Sequence, residues 1–392
     1  MAVAIVIQIV VVAFQQVFFI LLDLLLPLAA LLFLLPLNPI FSSIAASSWT
    51  MAQLLISPNE KRWALWPMAM VILVMARTWW LNEMPHPASG QDLLLLVASF
   101  LAATGISKKR WTLLLAFPIG VLPLLLTQLS SKPWTPNPLV GPNQGAYLLG
   151  LILLMALGWC WKETKHLWIK FLSGFSSVLA LFLIWQTASR AALASALIAF
   201  SFVFLRERAR KGNIWKPLLL LLAITVLGIG IKQLLRPSST GIPGLNLSSD
   251  LGRILIGQCY FKLPFSGSNR LLHGVGFERP EEFCHQVING GIADHAHNIY
   301  LQIWANSGLL GLVGLSIVAI LLFIYWRQSE NYLDPLPRRI GQAVVIYTLM
   351  QGCFDISLLH WPVTQVFTGI LLAIPFCAAD HSNNSFSKPD WG

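Results

Sequence analysis

Four histidines, His273, His285, His295 and His297, fall in one stretch of this chain, and the last two stand with Asp294 directly ahead of the apolar run "NIYLQIWANSGLLG". Histidine changes charge near neutral pH, so this is the residue type that moves protons. The same stretch carries Arg236, Arg253, Lys262, Arg270 and Arg279. Elsewhere single polar groups interrupt apolar sequence: Arg190 in "TASRAALAS", Asn143 and Tyr147 in "GPNQGAY", Asp355 and His360 in "FDISLLHW". An arginine near the centre of a membrane helix costs about 2.5 to 3.5 kcal/mol on insertion scales, so such a charge points to function by default. "DHAH" suggests a metal, yet His-Glu-x-x-His, paired Cys-x-x-Cys and Asp-x-Asp are all missing from the sequence. No metal or other cofactor is therefore expected.

The elements that must position these residues follow from composition. The chain is 56% hydrophobic and 11% charged, where a soluble domain carries about 25% charged residues. Leu/Ile/Val-rich blocks recur along it at close to the roughly 20 residues that cross a bilayer as a helix. The blocks are continuous rather than alternating, which selects helices over a closed barrel. The reading is an all-α polytopic membrane protein of about twelve transmembrane helices, with one long extracytoplasmic loop before the tenth. The expected spans are 3–22, 24–41, 63–81, 92–106, 111–129, 144–161, 168–187, 191–205, 215–231, 298–326, 340–359 and 362–378. The N-terminal residues lack a basic segment ahead of the first apolar run and read as a span, not a cleaved signal. Grouped by content, 1–137 are undiagnostic spans, 138–231 are spans bearing Asn143 and Arg190, 232–297 is the long loop, 298–378 are the C-terminal spans, and 379–392 is a tail.

Basic residues orient the chain. Lys61 and Arg62, Lys108 to Arg110, "KETKH", "RERARKG", and Arg327 with Arg338 and Arg339 fall on alternate connections. By the positive-inside rule these are cytoplasmic, as are both termini, and the net charge of +10 needs no nucleic-acid partner. Asn143, Arg190, the long loop, Asp355 and His360 then share the outer face. A connection of that length, containing "RILIGQCYFKLPF", reads as a folded or membrane-resting unit.

Bland readings stand beside these. Asp294 or Asn298 suits the N-cap of the following helix, Arg253 can pair with Asp250 or Glu278, and Gly308, Gly311 and Gly314 suit close helix packing. Cys259 and Cys284 share the outer loop, where oxidation is permitted; a disulfide is one reading and two thiols the other.

Several stretches resemble the O-antigen ligase family. "HNIYLQIWANSG" has the His-Asn, nine-residue, Gly pattern at His297, Asn298 and Gly308; "SRAALAS" resembles its Ser-Arg element, "GPNQGA" its Gly-x-Asn element, and "GRILIGQCYFKLPFSG" followed by "HGVGFE" its Arg-then-Gly-x-Gly stretch. The resemblance covers roughly 138–314. It implies a glycosyltransferase of the bacterial inner membrane, metal-independent, acting at the periplasmic face. The donor would be an undecaprenyl-diphosphate-linked glycan, the acceptor lipid A-core or another lipid-linked glycan, and the lipid bilayer the third partner. His297 would be the general base, a role that contributes on the order of 10² to 10⁴ in rate. Arg190 and Arg253, then Arg270 and Arg279, would bind the diphosphate bidentately, with Asn143, Asn298 and Tyr300 as further substrate contacts. The single His-Asn-nine-Gly element favours a ligase over a polymerase. Outside this class, a secondary transporter, for instance of inorganic carbon, is a second reading; it predicts broken helices and mid-membrane polarity.

Overall fold

The computed structural model describes residues 96, 99 and 100, 142–161, 167–187, 189–205, 247–267, 269–276, 279–284, 286–288, 291–293, 295–328, 335–360 and 362–377. The expected spans 3–22, 24–41, 63–81, 111–129 and 215–231 lie outside the described residues, as do nearly all of 92–106, the loop residues 232–246 and the tail 379–392. So do the basic connections at 61–62, 108–110, 162–166 and 206–212, together with Arg236, Glu278, His285 and Asp294.

In chain order the helices are α1 Pro142–Trp161, α2 Leu167–Thr187, α3 Arg190–Phe200 running into a π turn Ser201–Leu205, α4 Leu247–Lys262 with a 3-10 turn Leu263–Ser266, α5 Arg270–His273 and α6 Arg279–Phe283. After a hairpin of β1 Gln286–Ile288 and β2 Gly291–Ala293 come α7 Ile299–Gln328, α8 Pro335–Gly352, α9 Ser357–His360 and α10 Pro362–Cys377. Among the described residues the fold is thus helical apart from that hairpin, which pairs Gln286 with Ala293 antiparallel.

Two described helices are long and apolar enough to cross a membrane, Asn143–Cys160 in α1 and Ile299–Ile324 in α7. They solve different problems. Residues 145–156 of α1 are all buried, as expected of a helix with no polar face, and α2, α3, α8 and α10 pack around it. Helix α7 leaves Leu309, Val313, Ile320, Phe323 and Ile324 exposed, a surface suited to lipid.

Expected and observed boundaries agree closely for α1, α2, α7 and α10. The span expected over 340–359 instead begins at Pro335 and stops at Gly352. There the amides of Cys353 and Phe354 turn back onto the carbonyls of Met350 (3.2 Å) and Gln351 (2.9 Å), closing the helix seven residues early. Between α2 and α3 the break is a genuine cap: Ser189 Oγ accepts from the Ala192 amide at 3.4 Å.

One tyrosine pair fixes the direction of the bundle. The Tyr147 hydroxyl on α1 bonds Thr348 Oγ1 of α8 (2.9 Å) and Thr368 Oγ1 of α10 (3.0 Å). The Tyr347 hydroxyl donates to the Tyr147 carbonyl at 3.1 Å, and the two rings lie 5.2 Å apart. The start of α1 therefore meets the end of α8. Because α1 and α2 pack side by side across a short connection, the end of α2 and Arg190 at the start of α3 belong to that same end of the bundle.

The described residues from α4 to the start of α7 pack around a small core of their own: Ile256, Tyr260, Leu263, Val275, Cys284, Ala296 and Ala305. A disulfide joins Cys259 on α4 to Cys284 after α6. Of the two readings the cysteines allowed, the pairing is the one found.

Candidate functional site

Helix α7 is not continuous. At Gly308 the backbone takes φ 59° and ψ −151°, a region open essentially to glycine alone. Breaking the helix frees carbonyls that would otherwise accept from amides further on. The loop supplies replacements: the Val275 amide donates to the Ala305 carbonyl (2.8 Å) and the Gly276 amide to the Asn306 carbonyl (2.9 Å). Gly274, at φ 73°, lets the two backbones meet, because a Cβ there would overlap the Asn306 carbonyl; a Cβ on Gly308 would lie 2.6 Å from the Gly274 nitrogen. "HGVG" and the glycine that ends the His-Asn-nine-Gly pattern are thus two halves of one clasp. The sequence suggested close helix packing for Gly308; the structure shows a break in the helix there.

The outer half of α7 carries His297 at its head. His297 has φ 50°, an uncommon conformation for a residue with a side chain and one held only where neighbours enforce it. Here Asn298 enforces it from both ends of its amide: Oδ1 caps the Leu301 amide (3.0 Å) and Nδ2 donates to the Cys353 carbonyl at the end of α8 (2.9 Å). Tyr300 adds a bond from its hydroxyl to the Leu349 carbonyl (2.7 Å), and the Ala296 amide donates to Gln302 Oε1 (3.4 Å). The capping role read for Asn298 is present, while Tyr300 braces two helices.

Beside His297 stands His295, edge to face with ring centroids 6.1 Å apart. Its Nδ1 lies 3.5 Å from Glu281 Oε1 on α6. This pair was not singled out from sequence; Glu281 and His295 are fourteen residues apart and only the disulfide-bound fold joins them.

Arg253 lies on the exposed side of α4 and lines an open groove of about 400 Å³ with Ile254, Gly257, Gln258, Phe261, Lys262 and Leu301. Leu301, one turn beyond His297 on α7, is its far wall. The groove thus joins the positive charge of Arg253 and Lys262 to an apolar lining that includes Leu301, four residues after His297 in the chain. Arg270 is engaged with protein: Nη1 donates to Ser266 Oγ at 2.9 Å, and its guanidinium sits 5.6 Å from the centre of the Phe283 ring. Arg279 opens α6, Arg190 opens α3 behind the Ser189 cap, and half-buried Asn143 lies in the first turn of α1.

The chain direction set by Tyr147 and Tyr347 puts Asn143, Arg190 and the end of α8 at one end of the bundle. Asn298 and Tyr300 bind that end of α8, which brings His297 and Arg253 to it too. Buried Asp355 lies there as well, accepting from the Ser357 hydroxyl. It follows Cys353 by two residues, and the sequence signal for it was a carboxylate between two apolar runs. Among the described residues no cluster of three or more metal-ligating side chains occurs.

No curated protein matches this chain. Residues 175–316 match the family model described as O-Antigen ligase. Those residues contain Arg190, Arg253, Arg270, Arg279, His297 and the Gly274–Gly308 clasp, and leave out Asn143 and Asp355. The family comprises glycosyltransferase-like enzymes of the bacterial inner membrane with O-antigen ligase or polymerase-like activity. The match supports a likeness to the O-antigen ligase/polymerase family over the segment 175–316.

Proposed function

We propose that this protein transfers a glycan from an undecaprenyl-diphosphate carrier to an acceptor hydroxyl, as an O-antigen ligase does. The observation that carries the reading is the position of His297: an imidazole held at positive φ at the head of a spanning helix, one turn from a groove with Arg253 on its rim. In the reaction the acceptor oxygen forms a bond to the anomeric carbon while the bond from that carbon to the diphosphate oxygen breaks. The acceptor proton passes to His297, and the diphosphate leaves carrying the negative charge. Arg190 and Arg253 hold that charge through paired N–H donors, with Arg279 as a further cation. Asn298 and Tyr300 act here by fixing the helix start, and Arg270 by tying α5 to Phe283. Arginine supplies the positive charge, so the reaction as read needs no metal.

The basic residues at the opposite end support a periplasmic site with cytoplasmic termini. Lys170 near the start of α2 and Arg338 and Arg339 near the start of α8 lie far from the Tyr147 end, as the positive-inside rule requires. Lipid A-core is the expected acceptor; a second lipid-linked glycan would make the protein a polymerase.

The broken helix α7 favours one other reading, transport through a discontinuous helix. Against it, the Ala305 and Asn306 carbonyls at the break already accept from the Val275 and Gly276 amides. The test uses purified protein, an undecaprenyl-diphosphate oligosaccharide and each acceptor in turn, with and without EDTA. Chelator-resistant transfer that collapses in both His297→Ala and Arg190→Ala is the expected result. Transfer unchanged in His297→Ala would overturn the base assignment, and no transfer to any acceptor would favour transport.

A further inference from the structure

The loop unit hides one face and shows another. On α4 and its 3-10 extension Ile256, Tyr260 and Leu263 are buried toward α7, whereas Ile254, Phe261 and Phe265 are 57%, 54% and 59% exposed. Together with Gln258 these three recur at helical spacing and form a single stripe. Leu255, Leu271, Leu272 and Phe283 extend the exposed apolar area, and Arg253 and Lys262 flank it. A patch of this kind on a surface facing water marks an interaction site.

The depth of the stripe is fixed by Trp304. In the second turn of the spanning helix α7, its indole donates to the Phe261 carbonyl (3.0 Å), and its ring lies 5.6 Å from that of Phe265. Phe265 lies a further 5.6 Å from Phe261. An aromatic cluster at the start of a membrane span sits at headgroup level. An apolar stripe edged by cations at that level has the chemistry of a helix lying in the bilayer interface, and its charges complement anionic phosphate headgroups.

We infer that the loop unit 247–284 rests in the membrane interface. Ile254, Phe261 and Phe265 enter the acyl boundary, and Lys262 meets the phosphates of anionic phospholipids. The disulfide between Cys259 and Cys284 and the clasp at Gly308 hold the unit from the other side. A lipid-borne substrate diffusing in the membrane plane would then reach the Arg253 groove laterally, without leaving the interface. The inference stands apart from the glycosyl-transfer reading, since it concerns where the loop lies and not what it catalyses.

The test places the photo-crosslinker benzoylphenylalanine at Phe261, Phe265 or Leu272 of the full chain, and at exposed Glu282 as a control. The protein is embedded in nanodiscs of phosphatidylcholine with or without tagged phosphatidylglycerol. Aromatic replaces aromatic at two of these exposed sites, so folding is preserved, and intact disulfide by mass shift confirms it. Lipid adducts at 261, 265 and 272 but not at 282 are expected. Lys262→Gln should lower the preference for phosphatidylglycerol by roughly fivefold, the weight of one cation near an anionic surface. Adducts to a second copy of the chain in place of lipid, or lipid capture no greater than at 282, would overturn the inference. Lipid capture indifferent to Lys262→Gln would overturn its anionic part.

Discussion

Replacing Gly308 with alanine should open the clasp and silence transfer while leaving the bundle folded. Two costs arise. The backbone at φ 59°, ψ −151° is strained for any residue with a Cβ, at about 1 to 3 kcal/mol. The added carbon would also lie 2.6 Å from the Gly274 nitrogen and 2.7 Å from the Leu271 oxygen and the Leu272 carbonyl carbon, and overpacking of this sort costs about 1 to 3 kcal/mol more. Those neighbours are backbone and cannot rotate away. Releasing the two bonds from Val275 and Gly276 loses about 1 to 3 kcal/mol together, which makes opening the clasp the cheaper response. Hydrogen exchange in nanodiscs reads this directly: amides of 274–284 should exchange faster in Gly308→Ala, those of α1 should not, and transfer should fall at least tenfold. Gly174→Ala is the control, since nothing lies within 4 Å of a Cβ there. If Gly308→Ala exchanges and transfers like wild type, the clasp neither orders the loop nor supports transfer.

Further outcomes follow from the same geometry. Asn298→Asp keeps the cap on Leu301 but loses the donor to Cys353, so it should retain more stability than Asn298→Ala, whose loss of the cap alone costs about 0.5 to 2 kcal/mol; thermal unfolding of the purified protein ranks them. Cys259→Ser with Cys284→Ser removes a cross-link 25 residues apart and should cost the loop about 3 kcal/mol, seen as faster proteolysis within 247–284 and lower transfer. Tyr147→Phe removes the hydroxyl shared by Thr348 and Thr368 and should lower stability by about 1 to 3 kcal/mol without altering acceptor choice. Arg270→Lys, which loses the fork but keeps the charge, should weaken loop order more than donor binding, resolved as a larger change in exchange than in KM.

The helices were legible where apolar blocks are long and bounded by polar residues, so α1, α2 and α7 start and end within two residues of expectation. The end of α8 was not, because "MQGCFDI" stays apolar through the turn and only backbone bonds at Met350 and Gln351 stop the helix. His297, Asn298 and the loop arginines were visible as residue types. Their division of labour was hidden: whether Asn298 contacts substrate or caps, and whether Arg270 meets phosphate or Phe283, depends on groups 13 to 55 residues away. The Gly308 clasp was equally out of reach, because a glycine in an apolar run looks the same whether it packs against a helix or breaks one.

The break at Gly308 gives a meaning to the count of nine. Residues 299–307 form a rod about 13 Å long and two and a half turns around, docked on α8 at one end and on the Val275–Gly276 amides at the other. It works as a ruler between two fixed marks. Losing one residue would turn His297 about 100° around the axis and draw it some 1.5 Å inward. Substitution along the rod is tolerable in principle; a change in its length is not.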